Sequence, residues 1–352
     1  MTIICGDCLE EMRKMKDNSI SAIVTDPPYG LHFIGKDWDK FNKSNYNEKR
    51  DDEFQQFIRE WASESLRIVK PGGHILMFGA PRRYHRQVCG LEDAGWEIRD
   101  CLMWIFGSGF PKSHNYFGIE GYGTALKPAY EPIIMAMKPC DGTFKQNAEK
   151  WGQAGINIEG CRIESDNALV RPFIKRGDNE IFGKRLGAGV QQKPKGRWPA
   201  NVILDGEAGK ILDGQQDKVS RFFYCAKTSF SERNEGLDDR IPERITDGCI
   251  RSNPETARIY QANSAPRKNP HPTVKPLKLM EYLIKLVMPP KDGILLDPFA
   301  GSGTTILAAH RLGLNAIGIE KQPEYVEIAS ARLAYAQRKE NGQCDLFDSL
   351  VQ

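Results

Sequence analysis

The chain has 352 residues, of which 40% are hydrophobic and 27% charged, and its formal net charge is +3. This composition is ordinary for a globular protein of one or two domains, and it excludes a membrane-spanning chain because no apolar run approaches the roughly 18–20 residues that cross a bilayer. Nine scattered cysteines favour reduced thiols over a disulfide framework, and residues 1–7 lack the basic and apolar segments of a signal peptide, so we expect a cytoplasmic protein.

The first 138 residues alternate between strand-like and helix-like patterns. Runs of apolar, β-prone residues predict strands at 21–25, 74–79, 95–106 and 130–137, and residues 1–7 are typical of a first strand. Between the strands at 21–25 and 74–79, four apolar residues follow the spacing of one helix face: Phe54, Phe57, Ile58 and Trp61. The alternation predicts a doubly wound α/β sheet.

Residues 139–270 break this pattern. Gly, Asp, Asn, Arg and Lys dominate, and short apolar islands lie at 198–204 and 222–226. From Cys140 to Lys275 there are 23 Lys and Arg against 18 Asp and Glu, whereas the rest of the chain is near neutral. A long region without clear elements is usually functional or disordered. We therefore predict an irregular insert whose basic excess faces phosphate, the alternative being an ordinary solvated surface.

Regular patterns return at His271. Pro276 is suited to the first turn of a helix. The remaining patterns predict a strand at 293–297, a helix at 304–312, a strand at 315–320 and a last helix from 323 to about 339. Residues 341–352 are expected to form a frayed tail. The C-terminal part thus continues the α/β pattern that the insert interrupts.

The predicted strand at 293–297 runs into the loop Gly301-Ser302-Gly303, and a helix follows. This arrangement presents backbone N–H groups and a positive helix end to an anion, and glycine lets the backbone approach a ligand closely. Glu320 ends the next strand, near the ~20-residue spacing at which an acidic residue binds ribose hydroxyls. A dinucleotide-dependent oxidoreductase is the competing interpretation, but Ile306 stands where that pattern has a third glycine. S-adenosylmethionine, which has a carboxylate and a ribose but no pyrophosphate, suits the smaller loop.

The predicted strand at 21–25 ends in Asp26-Pro27-Pro28-Tyr29. An exocyclic amino group of a nucleobase is a poor nucleophile because its lone pair is delocalised into the ring, and two acceptors on its hydrogens would localise that lone pair. The Asp26 carboxylate and the Pro27 carbonyl would be those acceptors, held rigidly because proline fixes φ. Tyr29 would stack on a base extruded from the duplex. The bland alternative is a turn that follows a strand.

Together these motifs resemble the DNA amino-methyltransferases that act on adenine N6 or cytosine N4, in the β-type order in which the catalytic loop precedes the cofactor loop. The resemblance implies a Rossmann-like methyltransferase sheet with a circularly permuted motif order, S-adenosylmethionine as cofactor and double-stranded DNA as partner. It also implies a division into a catalytic half at 1–138, a target-recognition insert at 139–270, a cofactor-binding half at 271–340 and a tail at 341–352.

The same resemblance assigns candidate residues. Asp7 and Cys8 match the family's opening segment beside the cofactor's adenine, and Thr273 and Lys275 match the segment that borders its methionine end. Residues 126–132 resemble the strand beside the target-base pocket. The candidate residues of the cofactor loop and its surroundings are Asp297, Phe299, Gly301, Ser302, Gly303, Thr304, Thr305 and Glu320.

The insert resembles phage and prophage members of the family at 196–201 and 222–227. We expect it to read DNA, and a basic cluster within it supplies the candidate DNA-binding residues: Arg171, Lys175, Arg176, Lys184, Arg185, Lys193, Lys195 and Arg197. No metal is expected, because Cys5 and Cys8 lack a second pair of ligands.

Target base and biological setting remain expectations with alternatives. Aspartate in the first position of the catalytic loop favours adenine N6 within this family, with cytosine N4 as the alternative. An RNA amino-methyltransferase is less favoured because the long insert suits duplex recognition, and intact motifs argue against an inactive DNA-binding relic. We find no nuclease motif, so a restriction endonuclease working with this monomer or homodimer would be a separate chain.

Overall fold

The computed structural model describes residues 1–31, 49–107, 109, 119, 121–164, 196–216, 218–226, 231–237, 268–271, 273–290 and 292–340. Within these ranges the strands are β1 (Thr2–Cys5), β2 (Ile20–Thr25), β3 (Val69–Phe78), β4 (Glu97–Ile105), β5 (Tyr130–Met137), β6 (Val202–Asp205), β7 (Tyr224–Ala226), β8 (Ile294–Asp297) and β9 (Asn315–Glu320). The helices are α1 (Cys8–Arg13), α2 (Lys49–Ile68), α3 (Tyr84–Asp93), α4 (Phe144–Trp151), α5 (Gly206–Gln215), α6 (Leu277–Val287), α7 (Thr304–Arg311) and α8 (Pro323–Glu340).

The nine strands form one sheet in the order β1-β9-β8-β2-β3-β5-β4-β6-β7. Strand β5 pairs antiparallel with β3 and β4, and the other pairings are parallel. The carboxyl ends of β2, β8 and β9 therefore meet at one edge of the sheet, which we call the carboxyl edge. Because β5 runs the other way, its amino end lies at that edge too.

Helices cover both faces of the sheet, which confirms the predicted doubly wound class. One face packs against α1, α2 and α3, and the other packs against α6, α7 and the end of α8. The predicted helix face of α2 is confirmed, since Phe54, Ile58 and Trp61 are fully buried and Phe57 is partly buried. Full burial of such side chains contributes roughly 1.5–3 kcal/mol each.

The region predicted to be irregular contributes more order than its sequence indicated. Strands β6 and β7 come from the two apolar islands and extend the central sheet beyond β4. A capping box between Thr143 and Gln146 begins α4, and the Asp205 side chain caps α5. Strands of four and three residues are too short to show an alternating pattern, so their pairing depends on the sheet edge that they join. The proposed domain boundaries at 138 and 270 stay predictions.

Candidate active site

The catalytic loop and the glycine loop follow neighbouring strands. Strands β2 and β8 pair in parallel through Ala22 with Leu295 and Ile23 with Leu296. A buried hydrogen bond joins the two strand ends, because the Thr25 hydroxyl donates to Asp297 Oδ1 over 2.7 Å. Two motifs that lie more than 250 residues apart in the sequence are thus fixed side by side at the carboxyl edge.

Asp26 is the centre of a compact polar cluster. Its Oδ1 accepts a hydrogen bond from the Tyr29 hydroxyl at 2.5 Å, and its Oδ2 accepts one from Lys275 Nζ at 2.7 Å. Lys275 Nζ also lies 3.2 Å from Glu131 Oε2, which comes from the amino end of β5. The Tyr29 hydroxyl lies 3.5 Å from the same Glu131 oxygen. Two carboxylates therefore share one ammonium and one phenol.

The cluster is shielded from water. The Lys275 side chain is 7% exposed and that of Asp26 is 18% exposed. Burial alone would lower the pKa of Lys275, but the adjacent carboxylates of Asp26 and Glu131 outweigh it and raise the pKa above its ordinary value. Burial, reinforced by the same two carboxylates, holds the pKa of Tyr29 well above its usual range. Lys275 is therefore a fixed cation, and Tyr29 is a neutral hydrogen-bond donor.

Asp297 organises the start of the glycine loop. Besides the bond from Thr25, it accepts hydrogen bonds from the Thr305 hydroxyl and from the Phe299 backbone N–H. Burial raises the pKa of Asp297 to about 6, although these three hydrogen bonds favour its charged form. Phe299 itself packs edge-on against Trp61 of α2, with ring centroids 5.3 Å apart. The carboxylate thus ties β2, β8 and the first turn of α7 together.

The two glycines of the loop occupy backbone conformations that suit glycine. Gly301 has φ +51° and Gly303 has φ +81°. A Cβ at Gly301 would lie 2.6 Å from His271 Nε2, and one at Gly303 would lie 2.7 Å from the Ala329 Cβ. The Gly301 N–H donates to Glu320 Oε2 at 2.9 Å, which joins the loop to the end of β9. Glycine here permits both the backbone turn and the close approach of neighbouring groups.

Sequence reasoning missed Arg332, which supports this loop from α8. Its side chain is 3% exposed, and its guanidinium donates to the Ser302 carbonyl at 2.6 Å and to the Thr304 hydroxyl at 3.3 Å. Burial lowers the pKa of Arg332 to about 10, so the group remains charged at neutral pH. Its neighbours Ile328 and Leu333 are apolar and buried. An arginine on the apolar face of a helix was the available signal.

The opening segment meets the glycine loop through Glu320. Asp7 caps α1 by accepting a hydrogen bond from the Leu9 N–H at 3.0 Å, and the Gly6 N–H donates to the Glu320 carbonyl at 3.0 Å. Burial raises the pKa of the Cys8 thiol to about 12, so it behaves as a packing group rather than a nucleophile. The positions of Asp7 and Glu320 at adjoining strand ends are compatible with one shared ligand.

The segment before α6 is divided between the two loops. The Thr273 N–H donates to His271 Nδ1 at 3.4 Å, and His271 is the residue that a side chain at Gly301 would strike. Lys275, which the resemblance assigned to the cofactor, has its ammonium engaged by Asp26 and Glu131. The segment therefore borders the glycine loop at one end and the catalytic loop at the other.

One candidate DNA-binding residue, Arg197, can be placed. It exchanges backbone hydrogen bonds with Ile163, at 2.7 and 3.1 Å, and its guanidinium lies over the Phe222 ring. Because it precedes β6, it lies toward the amino ends of the parallel strands, away from the carboxyl edge that holds Asp26. The other seven candidates lie outside the described residues: Arg171, Lys175, Arg176, Lys184, Arg185, Lys193 and Lys195.

Two negative findings apply to the described part of the chain. No group of three or more His, Cys, Asp or Glu side chains there is placed to hold a metal ion. None of the helices in that part is long and apolar enough to span a bilayer.

A doubly wound sheet that brings an Asp-Pro-Pro-Tyr loop and a glycine loop to neighbouring strand ends defines a Rossmann-like methyltransferase. The chain belongs to the DNA methylase family, whose N6_N4_Mtase sequence model matches residues 20–331. Membership makes the protein a DNA methyltransferase and implies S-adenosylmethionine as its cofactor. The predicted family is therefore confirmed, and the target base is left open.

Individual relatives agree with this assignment. The chain is 25% identical over 357 residues to the type II methyltransferase M.HindIII of Haemophilus influenzae, covering 93% of each chain. It is 24% identical over 334 residues to the type II methyltransferase M.HpaI of Haemophilus parainfluenzae, covering 94% of this chain and 73% of that protein. Among solved structures, the cytosine-N4-specific PvuII DNA methyltransferase matches with a TM-score of 0.53 and 16% identity, covering 97% of this chain and 92% of that chain. This likeness supports the fold.

The site fits S-adenosylmethionine on structural grounds. A side chain at Gly301 would fill the space beside His271, and the Glu320 carboxylate stands at the end of the adjoining strand. Burial raises the pKa of Glu320 above its ordinary value, as expected of an acid turned inward from bulk water. A backbone cradle beside a partly buried carboxylate suits a ligand that has both a carboxylate and ribose hydroxyls.

Proposed function

We propose that this protein transfers a methyl group from S-adenosylmethionine to the N6 amino group of adenine in duplex DNA, after the base has left the helix. The observation that supports this most strongly is Asp26, paired and largely buried, beside the strand that carries the glycine loop. Aspartate rather than serine at this position favours adenine over cytosine N4 within the family.

The cofactor would be held by the three segments that meet at the carboxyl edge. Asp7 and Cys8 come from the opening segment, Thr273 from the segment before α6, and the glycine loop with Glu320 from the ends of β8 and β9. Asp297, Ser302, Thr304 and Thr305 would shape that loop. When bound, S-adenosylmethionine supplies an electrophilic methyl group attached to a sulfonium.

Asp26 would orient the amino group of the target base. Each of its oxygens accepts one hydrogen bond in this structure, and a carboxylate oxygen has room for two. One lone pair therefore remains on each oxygen, and either can accept an amino hydrogen, with the Pro27 carbonyl as the second acceptor. Holding both hydrogens in place localises the nitrogen lone pair toward the methyl group, and proline keeps this geometry preorganised.

The charge of the cluster matches the charge that the reaction develops. The amino nitrogen becomes positive as its bond to carbon forms, and Asp26 and Glu131 together outnumber Lys275 by one negative charge. A fixed negative environment of low dielectric stabilises that transition state. Tyr29 would stack on the extruded base while its hydroxyl keeps Asp26 oriented.

DNA binding would rely on the basic insert, with Lys184, Arg185, Lys193 and Lys195 among the phosphate contacts. Type II methyltransferases among the relatives favour a role in restriction and modification, with any endonuclease carried by a separate chain. DNA and a separate endonuclease are thus the proposed partners of the protein.

The test incubates the protein with S-adenosylmethionine and mixed-sequence duplex DNA, digests the DNA and identifies methylated nucleosides by mass spectrometry. We expect N6-methyladenine, reduced by at least about 100-fold in Asp26→Ala while cofactor binding persists. Asp292→Ala is the control, because Asp292 is exposed and precedes β8 at the opposite edge of the sheet. N4-methylcytosine would change the base, and cofactor binding without any methylated nucleoside would point to RNA or to an inactive binder.

A further inference from the structure

The cluster around Asp26 contains one acidic side chain to which the sequence motifs assign no role of its own. Glu131 is the second residue of β5, 102 residues after Tyr29 in the chain, and its side chain is 27% exposed. It contacts the two groups that hold Asp26: the Lys275 ammonium at 3.2 Å and the Tyr29 hydroxyl at 3.5 Å. It therefore touches both hydrogen-bond donors of Asp26.

We propose that Glu131 is a positioning residue for methyl transfer, which acts through Lys275 to keep a lone pair of the Asp26 carboxylate available to the target amino group. This inference rests on the proposed function of Asp26. Lys275 occupies an Asp26 oxygen, and Glu131 counteracts this by attracting the same ammonium. Lys275 contacts both carboxylates, so a change at Glu131 alters how strongly the ammonium binds Asp26.

Competition for the Lys275 ammonium is the first argument. The ammonium lies 2.7 Å from Asp26 and 3.2 Å from Glu131, so it is held between them rather than committed to one. Its flexible four-carbon stem would let it move fully onto Asp26 if Glu131 were neutral. Asp26 would then be half of a neutral ion pair, and the lone pair that the amino hydrogen needs would be a weaker acceptor.

Lys275 also separates two like charges, those of Asp26 and Glu131. Removal of Lys275 would leave Asp26 and Glu131 facing each other in a site with little water, where like charges disfavour double ionisation. Removal of both Lys275 and Glu131 would relieve this repulsion and leave Asp26 with the Tyr29 hydroxyl at 2.5 Å. The effects of the two side chains must therefore be non-additive.

A double-mutant cycle tests this directly. Single-turnover methylation rates are measured at saturating DNA and S-adenosylmethionine for the wild type, Glu131→Gln, Lys275→Met and the double variant. We expect Glu131→Gln to lower the rate roughly 10- to 100-fold in the wild-type background and less than about 3-fold in the Lys275→Met background. The KM for DNA and the Kd for S-adenosylmethionine should stay within about 3-fold of wild type, since the effect is on positioning.

Glu281→Gln is the matched control. Glu281 on α6 is a similarly shielded glutamate, 10% exposed, that lies 2.8 Å from Lys278 and 3.9 Å from Arg311, and neither of these partners contacts Asp26 in the described structure. Its loss should leave the single-turnover rate unchanged, and thermal melting of all variants separates misfolding from slow chemistry. Glu131→Asp, which keeps the charge, should recover part of the rate.

Three results would overturn the inference. These are equal losses from Glu131→Gln in both backgrounds, an unchanged rate in Glu131→Gln, or a loss confined to the KM for DNA. Each of them leaves the proposed function standing as long as the wild type forms N6-methyladenine and Asp26→Ala does not. A wild-type protein that forms no methylated nucleoside would instead overturn the proposed function, and this inference with it.

Discussion

Gly303 is constrained by its backbone conformation and by a close neighbour, and comparison with Gly313 separates the two effects. Its φ is +81°, and a Cβ would lie 2.7 Å from the Ala329 Cβ of α8. Gly313 has a comparable φ of +67° but no heavy atom within 4 Å of its Cβ position. We expect Gly313→Ala to lower the free energy of unfolding by about 1 kcal/mol through backbone strain alone, and Gly303→Ala by about 2–4 kcal/mol because overpacking is added.

Chemical denaturation of both variants measures this difference, and binding of S-adenosylmethionine extends it to the site. Gly303→Ala should also weaken cofactor binding, since the loop must shift away from α8 to make room. Equal losses of stability in the two variants would show that the contact with Ala329 relaxes freely.

The contacts that sequence reasoning missed share a physical cause, which is that they join residues from different elements. Glu131 and Lys275 meet through sheet order, and neither carries a local pattern that predicts the other. Arg332 stands on a helix face whose periodicity predicts an apolar residue, and its partner Ser302 lies in a loop from another element. By contrast, Asp26, Gly301 and Glu320 could be proposed as site residues because strand–loop–helix patterns, which are local in sequence, mark their positions.

At the scale of elements, Asp297 links β8 to β2 and α7. Its protonation should make the free energy of unfolding depend on pH. Its pKa is raised from 3.8 to about 6 in the folded protein, so the folded state binds a proton more tightly than the unfolded chain does. The stabilisation from this group is fully present below pH 3.8 and is lost as the pH rises through about 6. Asn at this position would remove that dependence.

We therefore expect the stability difference between wild type and Asp297→Asn to change by about 2–3 kcal/mol between pH 4 and pH 7. The wild type should lose stability relative to the variant as the pH rises. Urea denaturation at several pH values gives the difference directly, and all other titrating groups cancel in the comparison. Parallel curves for the two proteins would mean that Thr25 and Thr305 stabilise the charged carboxylate enough to offset its burial.

Elements with strong local signals were predicted closely, and marginal ones were not. The predicted strands at 130–137 and 315–320 have the bounds of β5 and β9, because their apolar runs are flanked by polar or turn-forming residues. Strand β3 begins at Val69, five residues before the predicted strand at 74–79, and it runs through Pro71, Gly72 and Gly73. Its pairing with β2 is irregular at that point, and such tertiary pairing overrides local turn signals.

At the scale of the whole molecule, the sheet order makes the two predicted halves interdependent. Strands β8 and β9 from the C-terminal part stand between β1 and β2 from the N-terminal part. The two faces of the sheet are each covered by helices from one half, so each half completes the core of the other. The candidate active site lies where these halves adjoin, so a permuted order of motifs still brings its residues together at one place.

Charge is distributed unevenly along the chain, and this distribution predicts which region binds the DNA backbone. The excess of basic residues lies between Cys140 and Lys275, whereas the rest of the chain is near neutral. If the insert binds the DNA backbone, log affinity should fall less steeply with log salt after replacement of four residues by Gln: Lys184, Arg185, Lys193 and Lys195. Each lost phosphate contact reduces the magnitude of the slope by roughly 0.9, so the total reduction is up to about 4.

Four exposed basic residues outside the insert provide the matched control: Arg13, Lys14, Lys16 and Arg338. Their replacement by Gln removes the same charge from the protein, so it changes long-range attraction without removing phosphate contacts. Fluorescence anisotropy with a labelled duplex at several salt concentrations measures both slopes, and cofactor affinity should be unchanged in both variants. A larger slope in the control than in the insert variant agrees with binding through the insert, whereas equal slopes would mean that net charge, rather than a defined basic surface, holds the DNA.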